Sequence, residues 1–207
     1  MHPNPAYRKT PQDDNIAFAR NRAFGVLAVN ADGGPLISHI PFNLSADGAS
    51  LEAHLVRSNP IVRLLGEPVE AVIVVSGGDA YVSPDWYGLD DQVPTWNYVA
   101  VHVRGTLRQL DQSELHGILQ RLSDTMEERL ADKAPWKIDK VDPDAYARLL
   151  RQIVPVAMTV TDIQGTWKLA QNKPEAARKG ASAGIRAAGL GAETDEIARL
   201  MDLVIDE

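Results

Sequence analysis

A mainly β fold with added helices (α+β), built as an antiparallel barrel or a strongly curled sheet, is predicted by three observations. Strand-like runs succeed one another through short turns in the first half of the chain, whereas helical periodicity is concentrated after residue 110. Strands never alternate with helices as a doubly wound sheet requires. The glycine-bearing segment GLGAE (189–193) lies between helical segments and so lacks the strand-to-helix context of a dinucleotide site.

After a proline-rich start, Asp13 is a candidate cap for a short helix carrying Ile16, Phe18 and Ala19. FGVLAVN (24–30) is a strand entering ADGGP, whose glycines suit the positive φ of a hairpin turn. LISHIPFNL (36–44) alternates, with Leu36, Ser38, Ile40, Phe42 and Leu44 on one face and His39 and Asn43 on the other. LEAHLV (51–56) makes a third strand, Pro60 to Leu65 a short helix, and VEAVIVVSG (69–77), apolar on both faces, a central strand. The segment Tyr81 to Asn97, YVSPDWYGLDDQVPTWN, is expected to form a polar, aromatic loop that walls the pocket of a flat ligand. YVAVHVRGTLRQL (98–110) follows as a strand with Val99, Val101 and Val103 on one face. Leu115, Ile118, Leu119 and Leu122 recur at helical spacing within 111–131, where Asp111 or Ser113 can cap. Pro143 opens a second helix, a final strand spans 155–169, and two helices close the chain. Residues 1–207 are expected to form one domain with a helical insertion at about 111–153 and a helical C-terminal tail at about 174–207.

A chain of 207 residues can bury a sizeable core. Its net charge of −7 provides no general attraction to nucleic acid, which would need a local basic patch. With no cysteine, disulfides, cysteine-ligated zinc, iron–sulfur clusters and thiol nucleophiles are excluded. No apolar run approaches the ~20 residues of a membrane helix, and the start lacks a signal-peptide core, so a cytoplasmic protein is expected.

Three motifs carry chemistry. HLVRSNP sets Arg57, Ser58 and Asn59 between a strand and a helix opening at Pro60, where a guanidinium, a hydroxyl, an amide and free N–H groups could receive phosphate. The plainer alternative is that Ser58 or Asn59 caps the helix while Arg57 is solvated. VPTWNY sets Thr95, Trp96 and Asn97 at the mouth of a strand, offering a stacking face and the donors and acceptors that a heteroaromatic ring edge needs, or else pinning the loop to the core. TWKLAQNK ends a strand with Lys168, Gln171, Asn172 and Lys173, which either close over a phosphate or the carbonyls of a ring, or form an ordinary polar turn before Pro174. His39, His54 and His102 all fall on strands without HxH or HxxxH spacing, so no metal is assigned to them. No nucleophile elbow is present, and catalytic residues are not identified, although His39 and His54 could serve as acid or base in an enzyme.

Read in order, MHPNPAY, GPLISHIPF, HLVRSNP, AYVSPDWYG, VPTWNYVAVHVRG and TWKLAQNKPEAARKG resemble the PaiB family of FMN-binding negative transcriptional regulators over nearly the whole chain. The resemblance implies an FMN-binding split β-barrel with C-terminal helices, related to pyridoxamine-phosphate oxidase-like flavoproteins, and a homodimer with flavin at the interface. It further implies that the His39–Phe42 strand, with Ile40 and Pro41, runs beside the isoalloxazine, and that His54 is a further cofactor-binding residue. Arg57, Ser58 and Asn59 would take the phosphate and ribityl end, Thr95, Trp96 and Asn97 the ring or phosphate, and Lys168, Gln171 and Asn172 the rest of the pocket. The implied role is negative transcriptional regulation, directly or through a metabolite; a flavin-dependent oxidoreductase acting on a small planar substrate is the alternative. The chain departs from the family pattern at His2, where a tyrosine is usual, at Ala170 (serine) and at Ala177 (an acidic residue).

Overall fold

The computed structural model describes residues 1–204. Its helices are α1 (Gln12–Arg22), α2 (Leu115–Glu127), α3 (Pro143–Leu150), α4 (Glu175–Ala188) and α5 (Thr194–Asp202). Its strands are β1 (Phe24–Val29), β2 (Leu36–Leu44), β3 (Ser50–Val56), β4 (Val69–Val82), β5 (Thr95–Gln109), β6 (Ile153–Lys168) and the short β7 (Gly191–Ala192). The chain divides into two compact units. A barrel unit comprises Ile16–Val75 and Val103–Ile163, and a terminal unit comprises Met1–Asn15, Ser76–His102 and Gln164–Glu207, of which residues 205–207 lie outside the described part.

In the barrel unit the strand order β1-β2-β3-β6-β5-β4 returns from β4 to β1, which closes a mainly antiparallel split barrel. The alternating pattern of LISHIPFNL places Ile40, Phe42 and Leu44 inside, as the period-two reading requires. Leu27, Leu51, Leu55, Ile73, Leu107, Val156 and Met158 complete a fully buried interior. Closure demands a close approach: a Cβ on Gly25 would stand 2.8 Å from Ile73 Cγ2 and 2.9 Å from the Val74 carbonyl oxygen, so only glycine fits there. α2 lays Leu115, Ile118 and Leu122 against β2 and β3, and Asp111 caps the short 3-10 helix that precedes it.

The terminal unit holds the distal ends of β4, β5 and β6 together with α4, β7 and α5. Ala181, Ile185, Ile197 and Met201 form an apolar seam between the two C-terminal helices. Arg178, only 2% exposed, lies in that seam. Its Nε donates to the Met201 carbonyl (3.0 Å), Nη2 to that of Val204 (2.8 Å) and Nη1 to that of Lys173 (3.2 Å), so the guanidinium joins two carbonyls at the end of α5 to one just before α4.

Several local expectations change. Asp13 lies inside the first turn of α1, which begins at Gln12. β4 and β5 are longer than the hydrophobic runs, because hydrogen bonding continues through Gly77, Gly78, Asp79 and Ala80 and back to Thr95. The aromatic loop is therefore two strand ends joined by a short 3-10 helix (Pro84–Tyr87) and a turn. β4 alternates between buried and part-exposed positions instead of being covered on both faces. Among the described residues no helix is long and apolar enough to cross a membrane.

Candidate functional site

In the terminal unit a cavity of about 260 Å3 is lined by Tyr7, Tyr87, Asp91, Gln92, Val93, Thr95, Asn97, Lys168, Ala170, Asn172 and Lys173. Five candidate residues meet there: Thr95 and Asn97 from the start of β5, Lys168 from the end of β6, and Asn172 and Lys173 from the turn beyond it. The Lys168 ammonium bonds the Thr95 hydroxyl and lies 5.9 Å from the centroid of the Tyr7 ring. Lys173 bonds Gln92 Oε1 and lies 5.4 Å from the Tyr87 ring. Tyr7 donates to Asn172 Oδ1 at 3.2 Å.

The electrostatics favour an anion. Two ammonium groups share this lining with a single carboxylate, that of Asp91, counted among the described residues. Burial lowers the Lys168 pKa, because a partly desolvated ammonium loses hydration. Burial, reinforced by the neighbouring Tyr7, pushes Tyr87 up to about 12, so its phenol remains a donor. Asn97 is 1% exposed; its amide nitrogen contacts Met201 Sδ at 3.2 Å, while its buried Oδ1 has no hydrogen-bond partner. An unsatisfied buried acceptor costs about 1–3 kcal/mol, so this atom is a position where an arriving donor is worth most.

Gln171 and Trp96 lie outside this lining. Gln171 accepts from the Leu169 amide at 2.8 Å and donates to the Trp167 carbonyl, closing the turn in which Ala170 adopts a φ of +59°. Trp96 is 46% exposed and meets Tyr81 edge-on at 6.1 Å; Tyr81 in turn meets Trp86 at 6.3 Å. Trp86 packs on α4, and Tyr87 is buried, so these two aromatics enter the core of the terminal unit.

The barrel unit holds the other predicted residues. Arg57 is exposed yet engaged: Nε donates to the Arg151 carbonyl (2.8 Å), and Nη2 to the Ile153 carbonyl (3.1 Å) and Gln112 Oε1 (3.0 Å). Asn59 caps the 3-10 helix Pro60–Leu64 through its Oδ1 and donates from Nδ2 to Ser38 Oγ at 3.0 Å. Ser58 is exposed beside them. Along β2, Ile40 is buried in the barrel while His39 and Pro41 face out, and His39 lies near Phe24 at 6.4 Å between ring centroids. His54 lines a second cavity with Pro41.

Sequence reasoning missed Tyr7 as a lining residue, for which the N-terminal motif MHPNPAY was the available signal; Tyr87, Asp91 and Gln92 fall within the 81–97 segment expected to wall a pocket, though none was singled out as a site residue. At the departure His2, the imidazole stands edge-on to Tyr7 at 4.8 Å and the backbone N–H donates to Thr166 Oγ1 at 3.2 Å.

Residues 1–162 match the family model described as "Putative FMN-binding domain". The chain is similar to the "Protease synthase and sporulation protein PAI 2" of Bacillus subtilis, with 32% identity over 174 residues that cover 83% of each chain. It also resembles the solved structure of the FAD and heme binding protein from Mycobacterium smegmatis (TM-score 0.57, 18% identity), covering 90% of this chain and 82% of that one. A second resemblance, to the flavocytochrome Anf3 from Azotobacter vinelandii, has a TM-score of 0.60 at 12% identity, covering 81% of this chain and 72% of the other. At such identities the structural likeness concerns the fold.

Proposed function

The chain belongs to the PaiB family, whose matching domain is described as FMN-binding, and from that premise we propose a cytoplasmic, homodimeric protein that holds FMN and serves gene regulation through it. The observation that carries this reading is the cationic cavity of the terminal unit. A phosphate dianion there would meet the Lys168 and Lys173 ammonium groups and the hydroxyls of Thr95 and Tyr87, charge-assisted contacts worth about 1.5–3 kcal/mol each. The unpartnered Asn97 Oδ1 suits a donor such as a ribityl hydroxyl. By donor set and by orphaned acceptor, the residues fit the cofactor.

When bound, the flavin supplies redox chemistry that the side chains lack. The protein's own contribution is to bind and orient. Tyr87 stays protonated and keeps donating, Tyr7 fixes the Asn172 amide, and Thr95 holds Lys168 in place. With a net charge of −7, regulation through a metabolite or partner protein is the form we favour over direct gripping of duplex DNA. Support for a dimer comes from the outer face of β1–β3, where Phe24, Ile37 and Val56 are 54%, 60% and 55% exposed. A second reading, a flavin-dependent oxidoreductase acting on a small planar substrate, is favoured by the half-exposed Trp96 face; NAD(P)H-dependent reduction of the holo-protein tests it.

Titration of the protein with FMN, followed by quenching of flavin fluorescence, tests the main proposal. Lys168→Met should weaken binding about tenfold or more, the loss expected from one charge-assisted contact. Unchanged affinity in Lys168→Met, together with a loss in the Arg57→Ala/Ser58→Ala double variant, would move the phosphate to the Arg57 turn.

A further inference from the structure

Within the barrel unit, α2 and the segment around Trp136 cover part of the outer face of β1–β3 and leave a cavity of about 390 Å3. Its walls are mostly apolar, with Phe24, Pro41, Leu119, Leu122, Met126 and Trp136 beside the polar side chains of Arg22, His54, Ser123 and Glu127. The strand alternation of β3 sends Leu51, Ala53 and Leu55 into the barrel and His54 to this opposite face. His54 Nδ1 is buried without a hydrogen-bond partner.

That sealed nitrogen determines the state of the ring. A doubly protonated imidazole would bury an unsatisfied N–H at Nδ1, and burial accordingly lowers the His54 pKa. In the neutral ring, an unpaired lone pair at Nδ1 is better tolerated than an unpaired N–H, so the proton resides on Nε2. With Nδ1 sealed, Nε2–H is the edge left to face the cavity. The Glu127 carboxylate at the rim is already held by Lys133 and by the Trp136 amide at 2.8 Å, and the Arg22 guanidinium lies over the Phe18 ring at 5.7 Å.

We propose that this cavity binds a small neutral planar aromatic carbonyl compound, its ring against Trp136 and Phe24 and its carbonyl oxygen accepting from His54 Nε2–H. The volume accommodates one or two fused rings. Mostly apolar walls disfavour an ion, and the few donors on the lining, His54 Nε2–H and the Ser123 hydroxyl, select an acceptor-bearing ring over a plain hydrocarbon. This site shares no residue with the cationic cavity of the terminal unit, and its occupancy does not depend on flavin.

The experiment is a titration of the full chain with prodan, a naphthyl ketone dye whose emission reports both polarity and hydrogen bonding to its carbonyl. Saturable binding, with energy transfer from tryptophan, is the expected result. His54→Phe, which keeps the planar shape and removes the donor, should weaken binding about tenfold, the equivalent of one hydrogen bond. Leu119→Trp, which fills the cavity, should abolish prodan binding and leave FMN affinity unchanged; Met126→Trp replaces it if circular dichroism shows misfolding. Wild-type affinity in both cavity-filling variants, or in His54→Phe, would overturn the proposal. Displacement of prodan by FMN would also overturn it, because the cavity would then be the flavin's own. Failure of FMN to bind at all would leave the prodan result intact and count against the flavin reading alone.

Discussion

Asn97, His54 and Lys168 each carry a polar atom whose surroundings explain more than its place in the sequence does. Asn97 and Lys168 face one cavity and are joined there by Thr95, Tyr7 and Tyr87, residues scattered over most of the chain. His54 is a neutral histidine under an apolar lid, and this has a consequence for stability. Its folded pKa is lowered by burial, while the unfolded chain titrates near the usual value of ~6.5. Below that pH the unfolded state takes up a proton that the native ring refuses, so stability falls as pH drops through this range toward the folded value. Thermal unfolding of wild type and His54→Gln at pH 7.5 and 5.5 should show a smaller acid loss in the variant. Parallel profiles would remove the charge penalty assigned to His54.

Among the elements, α4 shows why small residues recur in GASAGIRAAG. A Cβ on Gly184 would stand 2.3 Å from Trp86 Cδ2, and one on Gly180 would stand 2.5 Å from the Trp86 carbonyl oxygen. The helix therefore presents a notch that receives the 3-10 helix carrying Trp86 and Tyr87, and this notch holds Tyr87 over the Lys173 ammonium. Gly184→Ala would gain helix propensity of up to ~1 kcal/mol, yet overlap with an indole that cannot yield costs about 1–3 kcal/mol, so the overlap should win. A melting temperature lowered by several degrees is expected; one equal to or above that of wild type would mean Trp86 does not pack there. The motif TWKLAQNKPEAARKG marked this region by resemblance. The structure buries its Arg178 side chain, because the carbonyls ending α5 need donors.

For the whole molecule, the exposed Phe24, Ile37 and Val56 predict self-association, and sedimentation should return twice the 22.6 kDa chain mass. A monomer at micromolar concentration would contradict the homodimer. Alternation of apolar residues in LISHIPFNL and LEAHLV and the helical spacing of Leu115, Ile118 and Leu122 were sufficient to predict strands, faces and the mainly β class, because burial follows side-chain period directly. The ordered motifs pointed to the flavin-binding family for a similar reason: each is a short local string. Strand length in β4 and β5 was not legible, since backbone hydrogen bonding carries a ladder through glycines that no hydrophobic pattern marks. Nor could the sequence tell that Arg57 would grip the carbonyls of Arg151 and Ile153, or that Tyr7 would meet Lys168 and Asn172. Those partners lie far apart along the chain, and folding alone brings them within bonding distance.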